Sequence, residues 1–207
     1  MRRRKVGISF LLAGLVFLLT ACGGDTGFVP EDPAKSSPGV TPPPPPQGVF
    51  IDSAVEGMRY KSGDLSGKTN EAGEFSYDSN LPVTFYVGDI EIGQSRGASL
   101  LSPINLVPGA VNEAHPTVTN IARFLQTIDD DANPDNGITI TAVVYDLALE
   151  KTINFQQSVT DFAEDGAVQV LIAEMTAATS EGARPLVNAL DAQAHLNASL
   201  AKHADDE

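Results

Sequence analysis

Residues 129–137 read Asp129-Asp130-Asp131-Ala132-Asn133-Pro134-Asp135-Asn136-Gly137. Oxygen-bearing side chains stand at alternate positions: Asp129, Asp131, Asn133 and Asp135. Such spacing lets a tight loop turn several carboxylates towards one hard cation, which is how Ca²⁺ is held. The residues just before it, Val118, Ile121, Ala122, Leu125 and Ile128, fall on one face of a helix. A helix C-terminus carries partial negative charge, so three aspartates there repel it and a cation would offset the repulsion. Ca²⁺ on Asp129, Asp131, Asn133 and Asp135 is therefore one expectation. The loop departs from the EF-hand pattern, with Pro134 where that pattern wants glycine and Ile140 where it wants glutamate. The same residues equally suit a solvated acidic turn, with Asn136-Gly137 bending the chain into a strand.

Signals for catalysis are sparse. There is no Gly-x-Ser-x-Gly elbow, no His-Glu-x-x-His and no phosphate-cradling glycine loop with lysine. His115 precedes Pro116 in a predicted loop. His195 and His203 lie eight residues apart on a predicted helix, too far for pairing over one turn. The pattern makes His195 a packing residue and His203 a terminal one. The expectation is a chain without catalytic activity.

The N-terminus carries chemistry of another kind. Arg2-Arg3-Arg4-Lys5 supplies the basic end of a secretion signal, and residues 6–20 are almost wholly apolar. That run of about 15 residues is short of the roughly 20 that span a bilayer. It ends in Leu19-Thr20-Ala21-Cys22-Gly23, which resembles the lipobox of bacterial lipoproteins. The alternatives are an ordinary signal peptide with an incidental cysteine, or a short buried helix. Cys22 is the only cysteine, so it has neither a disulfide partner nor a thiolate partner for a metal. The resemblance implies cleavage after Ala21 and acylation, palmitate-type chains included, at Cys22. Each inserted CH₂ stabilises membrane attachment by ~0.8 kcal/mol, and several chains make it long-lived. Gly23, where aspartate would retain a lipoprotein in the inner membrane, implies the outer membrane. The domain would then face the periplasm or the cell surface.

Without Arg2, Arg3, Arg4 and Lys5, nine basic residues face 27 acidic ones, a net charge of −18. That balance excludes a nucleic-acid partner and argues against lying flat on anionic lipid. Residues 22–47 read as the lipidated cysteine and a proline-rich tether, with an unbroken proline run at 42–46. As extended polyproline helix it reaches up to about 75 Å. A proline run is also a possible docking ligand for a partner protein.

The folded remainder reads as α+β: a small antiparallel β-sandwich or partial barrel over 48–105, then a helical half of about four helices over 106–207. Val49 and Ile51, Met58 and Tyr60, Phe75 and Tyr77, then Val83, Phe85 and Val87 alternate with the period of strands. Ile90 and Ile92 continue the pattern, and turn residues at 62–64, 70–73, 78–80 and 88–89 separate the runs. Helical spacing predicts a helix from Thr117, with Thr117 or Thr119 as cap, and a second over 141–149. Ile153 and Phe155 read as a brief extended segment. A third helix runs through Val168, Leu171, Ile172 and Met175, with Asp161 and Glu164 as its capping box. A fourth starts near Asn188 and presents Leu190, His195, Leu196 and Leu200.

Two stretches carry a further resemblance. The first runs from Gly48-Val49-Phe50-Ile51-Asp52-Ser53 to Gly73-Glu74-Phe75-Ser76-Tyr77, and the second from Asn120-Ile121-Ala122-Arg123 to Asn136-Gly137-Ile138. Together they resemble a module of secreted and lipid-anchored proteobacterial proteins. The first is also similar to the transthyretin-like sandwich of carboxypeptidase regulatory domains. The resemblance implies an extracellular location and no defined activity. The expected function is a non-catalytic, lipid-anchored cell-envelope module for binding, adhesion or surface-complex assembly. A small periplasmic hydrolase and an inert spacer are the alternatives. A pocket gathering several polar side chains at hydrogen-bonding distance would separate the hydrolase from the rest.

Overall fold

The computed structural model describes residues 43–205. The expected signal segment 1–21, the expected lipidation residue Cys22 and the expected tether up to residue 42 lie outside them. From Pro43 onward the chain forms one compact unit.

The fold is mixed α/β, with three sheets and five helices among the described residues. β1 (Gln47–Phe50) pairs antiparallel with β5 (Glu74–Ser76) and parallel with β8 (Leu100–Leu101). β2 (Val55–Glu56) pairs parallel with β9 (Ile138–Thr139), so the chain after the aspartate loop returns to the first hairpin. The largest sheet runs β4 (Leu65–Lys68), β3 (Arg59–Ser62), β6 (Pro82–Val87), β7 (Ile90–Arg96), all antiparallel. A bulge between Phe85 and Tyr86 shifts its last register, as bulges do when they bend an outer strand pair.

The alternation read from the sequence is the core face of most strands. Met58, Tyr60, Phe75, Val83, Phe85, Val87, Ile90 and Ile92 are buried. In β1 the phase differs from expectation. Phe50 is the residue sealed in the core, stacked against Phe85 at 4.8 Å between ring centroids, and Val49 is half-buried beside a surface cleft. The bulkier aromatic takes the interior because it removes more apolar area from water.

α1 (Pro116–Thr127) is the central helix. Its apolar face is buried as expected, and so are Asn120, Arg123, Gln126 and Thr127 on its other faces. It starts one residue earlier than expected. His115 is its N-cap, Pro116 its first residue, and neither Thr117 nor Thr119 caps it. Proline suits that position because its missing N–H has no partner in a first turn. Thr119 instead donates to the Glu113 carbonyl at 2.8 Å.

α2 (Ala142–Leu147) is capped by Thr141, whose hydroxyl accepts from the Val144 amide. Lys68 places its ammonium 3.5 Å from the Tyr145 ring centre and so ties β4 to this helix. The stretch expected as one capped helix through Met175 is two: α3 (Val159–Glu164) and α4 (Gly166–Ala177). Ser158 caps α3, and the Asp165 carboxylate caps α4 through the amides of Ala167 and Val168. Asp165 breaks the run because its side chain competes for the backbone. Ile153 and Phe155 lie outside any strand, and Phe155 packs between Phe124 and Phe162. α5 (Ala189–Asp205) follows Asn188, whose side chain accepts from the Leu190 amide. Leu196 is buried, whereas Leu190 is exposed. The buried apolar residues of strands and helices form one continuous core from Phe50 to Leu196.

Candidate functional site

The turn 51–54 joins β1 to β2. Ile51 and Ala54 bridge across it, leaving Asp52 and Ser53 at its tip. Their side chains go opposite ways. Asp52 enters the core, where Gln126 of α1 donates from Nε2 to Asp52 Oδ1 at 2.9 Å and Oδ2 at 3.2 Å. The same nitrogen reaches the Ala192 carbonyl of α5 at 3.2 Å. Burial pushes the Asp52 carboxyl up to about 8, against the opposing effect of the Gln126 bond. A neutral acid therefore fits this site, where an unpaired carboxylate would be costly.

Ser53 points outward. Its φ is +43°, a left-handed conformation uncommon outside glycine. Gly73 packs behind the turn with φ +74°; a Cβ there would lie 2.6 Å from the Phe50 carbonyl oxygen and 3.2 Å from the Val55 amide nitrogen. Only a residue without Cβ lets the two hairpins approach so closely.

Three distant segments meet at Ser53. Its hydroxyl lies 3.2 Å from His195 Nε2 and 3.3 Å from Ser199 Oγ, and its amide donates to Ser199 Oγ at 3.2 Å. Ser199 Oγ is also 3.3 Å from His195 Nε2, one turn away on α5. On the other edge of the imidazole, His195 Nδ1 is 3.3 Å from Asp135 Oδ1. The His195 side chain is 12% exposed and that of Asp135 87%, so water screens the carboxylate but scarcely reaches the ring. These groups line an open cleft of about 560 Å³, with Val49, Ile51 and Ala72 as apolar lining and Lys202 and His203 at the α5 end. His195 is thus a cleft residue, not the packing residue its helical spacing suggested. His203, eight residues on, lines the same cleft because two turns of one helix border it.

The aspartate loop divides its residues between two tasks. Asp129 is buried and accepts from the Thr139 amide at 2.8 Å and the Asn133 amide at 3.0 Å. Asp131 accepts from the same Asn133 amide at 3.0 Å and from Asn136 Nδ2 at 2.8 Å. Asp129 and Asp131 therefore converge, while Asp135 is carried away from them to His195 by the 3₁₀ turn Pro134–Asn136. Burial pushes Asp129 up to about 6, and the neighbouring Asp131 adds to the rise. The Asn136 and Asn133 bonds hold Asp131 below the usual carboxylate range. Among the described residues, no group of three or more His, Cys, Asp or Glu is placed to hold a metal ion.

The end of α1 has its cation within the chain. Arg184 donates from Nε to the Thr127 carbonyl at 3.0 Å and from Nη2 to the Asp129 carbonyl, with Nη1 on Thr179 Oγ1 at 2.8 Å. A guanidinium on the last carbonyls of a helix offsets both its dipole and the three aspartates. Arg184 is remote in sequence from the loop it neutralises, so the local run of aspartates does not point to it.

His115 borders a second cleft, of about 730 Å³, with its Nδ1 buried and without a hydrogen-bond partner. No family model, curated protein or solved structure matches the chain.

Proposed function

We propose that the chain is a lipid-anchored cell-envelope protein, acylated at Cys22, whose domain works as a binding, adhesion or surface-assembly module through the cleft at Ser53. The observation that carries this reading is the convergence of Ser53, Ser199, His195 and Asp135 on one open cleft. An inert spacer has no use for polar side chains gathered from three segments, since each gives up hydration and conformational freedom to be there. Such convergence is the ordinary character of a ligand site. The strongly acidic surface keeps the domain off anionic lipid and off nucleic acid.

For the first half, residues 48–105, we propose a small sandwich-like arrangement. The support is the burial of one face of β1 and β5 against β6 through Phe50, Phe75 and Phe85. For Ca²⁺ we propose an optional stabilising role at Asp129, Asp131, Asn133 and Asp135. Asp129 and Asp131 already share an amide; Asp135 would have to leave His195 to join them.

Site-specific photocrosslinking in cells tests the binding reading. A benzophenone amino acid at the exposed cleft residue Ala198 should capture an envelope component, and the same group at exposed Val170 on α4 should not. Equal capture at both positions, or none at 198, would contradict it.

A further inference from the structure

We propose that Ser53 is a nucleophile for acyl transfer, with His195 as its base, acting on carboxylic esters of short acyl chains. This rests on the cleft being the ligand site and adds chemistry to it. The expectation of a non-catalytic chain came from missing local motifs. A triad needs none of them when its members come from three distant segments, because geometry and role define it.

One assignment of hydrogens makes Ser53 the donor to His195. The Asp135 carboxylate, 3.3 Å from His195 Nδ1, favours the tautomer with its proton on that nitrogen, which leaves Nε2 as the acceptor. The Ser53 hydroxyl donates to Nε2. Ser199 Oγ accepts the Ser53 amide and donates its own proton to Ser53 Oγ. The relay runs Ser199, Ser53, His195, Asp135, and directs the Ser53 proton to the base. A hydroxyl is a weak nucleophile unless a positioned base takes its proton as the new bond forms.

Backbone conformation singles out Ser53 over Ser199. Ser53 stands on a two-residue turn at φ +43°, whereas Ser199 sits inside α5. Backbone strain of this kind collects at sites where a side chain must be held in one place. The neutral Asp52 beneath the turn, pinned by Gln126, fixes it from inside. Ser199 is a positioning residue.

The chemistry balances with an ester and water as the only reactants. Ser53 Oγ bonds to the carbonyl carbon as its proton passes to His195 Nε2. The bond to the alcohol oxygen breaks, and His195 returns the proton to that alcohol. Water then adds to the acyl carbon, giving a proton to His195. Ser53 leaves with that proton restored, and a free acid departs. Val49, Ile51 and Ala72 form a small apolar wall fitted to a short acyl chain. Lys202 supplies a nearby cation suited to an acidic leaving product.

The test uses the full-length protein in detergent, a fluorophosphonate probe with the adduct mapped by mass spectrometry, and p-nitrophenyl acetate and butyrate as substrates. The expected adduct is on Ser53. His195→Gln should lower labelling and ester turnover by about 10²-fold or more. Asp135→Asn should lower both by only about tenfold, because that carboxylate is exposed to water. Ser199→Ala should slow labelling yet leave the adduct on Ser53. An adduct on Ser199 or elsewhere, or an unlabelled wild-type protein that melts normally, overturns the proposal; so does full labelling of a folded His195→Gln variant. Crosslinks at position 198 without a Ser53 adduct would remove the chemistry and leave the binding module intact.

Discussion

Gln126 and Asp52 lock together inside the core, one nitrogen spanning both carboxyl oxygens at 2.9 and 3.2 Å. Through that nitrogen's third contact, with the Ala192 carbonyl, the turn bearing Ser53, the central helix and α5 share one hub. The position of Ser53 relative to His195 is therefore set by a buried polar contact as well as by packing.

A pH dependence of stability follows. Asp52 titrates near 3.8 when free and at about 8 when folded, so the folded state holds the proton that the unfolded state loses. Its stabilisation is complete below about pH 4 and is lost as pH rises to about 8, a change on the order of 5 kcal/mol. Asp129, raised to about 6, adds a fall in the same direction that ends at lower pH. Melting temperature should decline between about pH 4 and 8, and Asp52→Asn should remove most of that slope. A melting temperature that rises over this range would contradict the burial of a neutral Asp52.

Arg184 should be costly to remove. It satisfies carbonyls of Thr127 and Asp129 and the Thr179 hydroxyl with one planar fork. Arg184→Ala should destabilise the domain by about 2–4 kcal/mol, measured by urea denaturation. Arg184→Lys should recover little of this, because an ammonium lacks the fork geometry. Near-native stability of Arg184→Ala would show that water or another cation serves the helix end as well.

Gly57 permits the β2–β9 pairing. Its φ is +84°, and a Cβ would lie 2.2 Å from the Ile140 carbonyl oxygen. Gly57→Ala should destabilise the domain by at least about 1 kcal/mol from conformation alone, and by more from the clash. Since β9 follows the aspartate loop, the variant should also loosen the Asp135–His195 contact, read as faster amide exchange over residues 133–139.

Much of this architecture is legible in the sequence because it is local. Alternation at 83, 85 and 87 and helical spacing at 118, 121, 122 and 125 report their own burial. The turn residues at 70–73 are equally local, with Asn70 Oδ1 accepting from the Ala72 and Glu74 amides. The site is less legible because its members are distant. Ser53 and His195 are 142 positions apart, and no spacing rule links them. The aspartate loop stands out in the sequence for its alternating oxygens. Those oxygens are largely used within the loop, and the residue that reaches the cleft, Asp135, was expected on a metal instead. Arg184 is illegible for the same reason as the role of His195: Thr127 and Asp129 lie more than fifty residues away from it in the sequence.

The calcium proposal is tested by melting in millimolar Ca²⁺ against chelator. A bound ion should raise stability by ~2.7 kcal/mol at a hundredfold excess over its dissociation constant. Asp131→Ala should abolish the rise. Equal melting temperatures in both buffers would leave Arg184 as the cation that serves this loop.

The lipid anchor is tested most directly by metabolic labelling with an alkyne palmitate analogue in cells expressing the full chain, followed by membrane fractionation. The wild-type protein should carry the label and sediment with membranes, and Cys22→Ser should lose both. An unlabelled wild-type protein, or a Cys22→Ser variant that stays labelled and membrane-bound, would contradict the lipid-anchored reading.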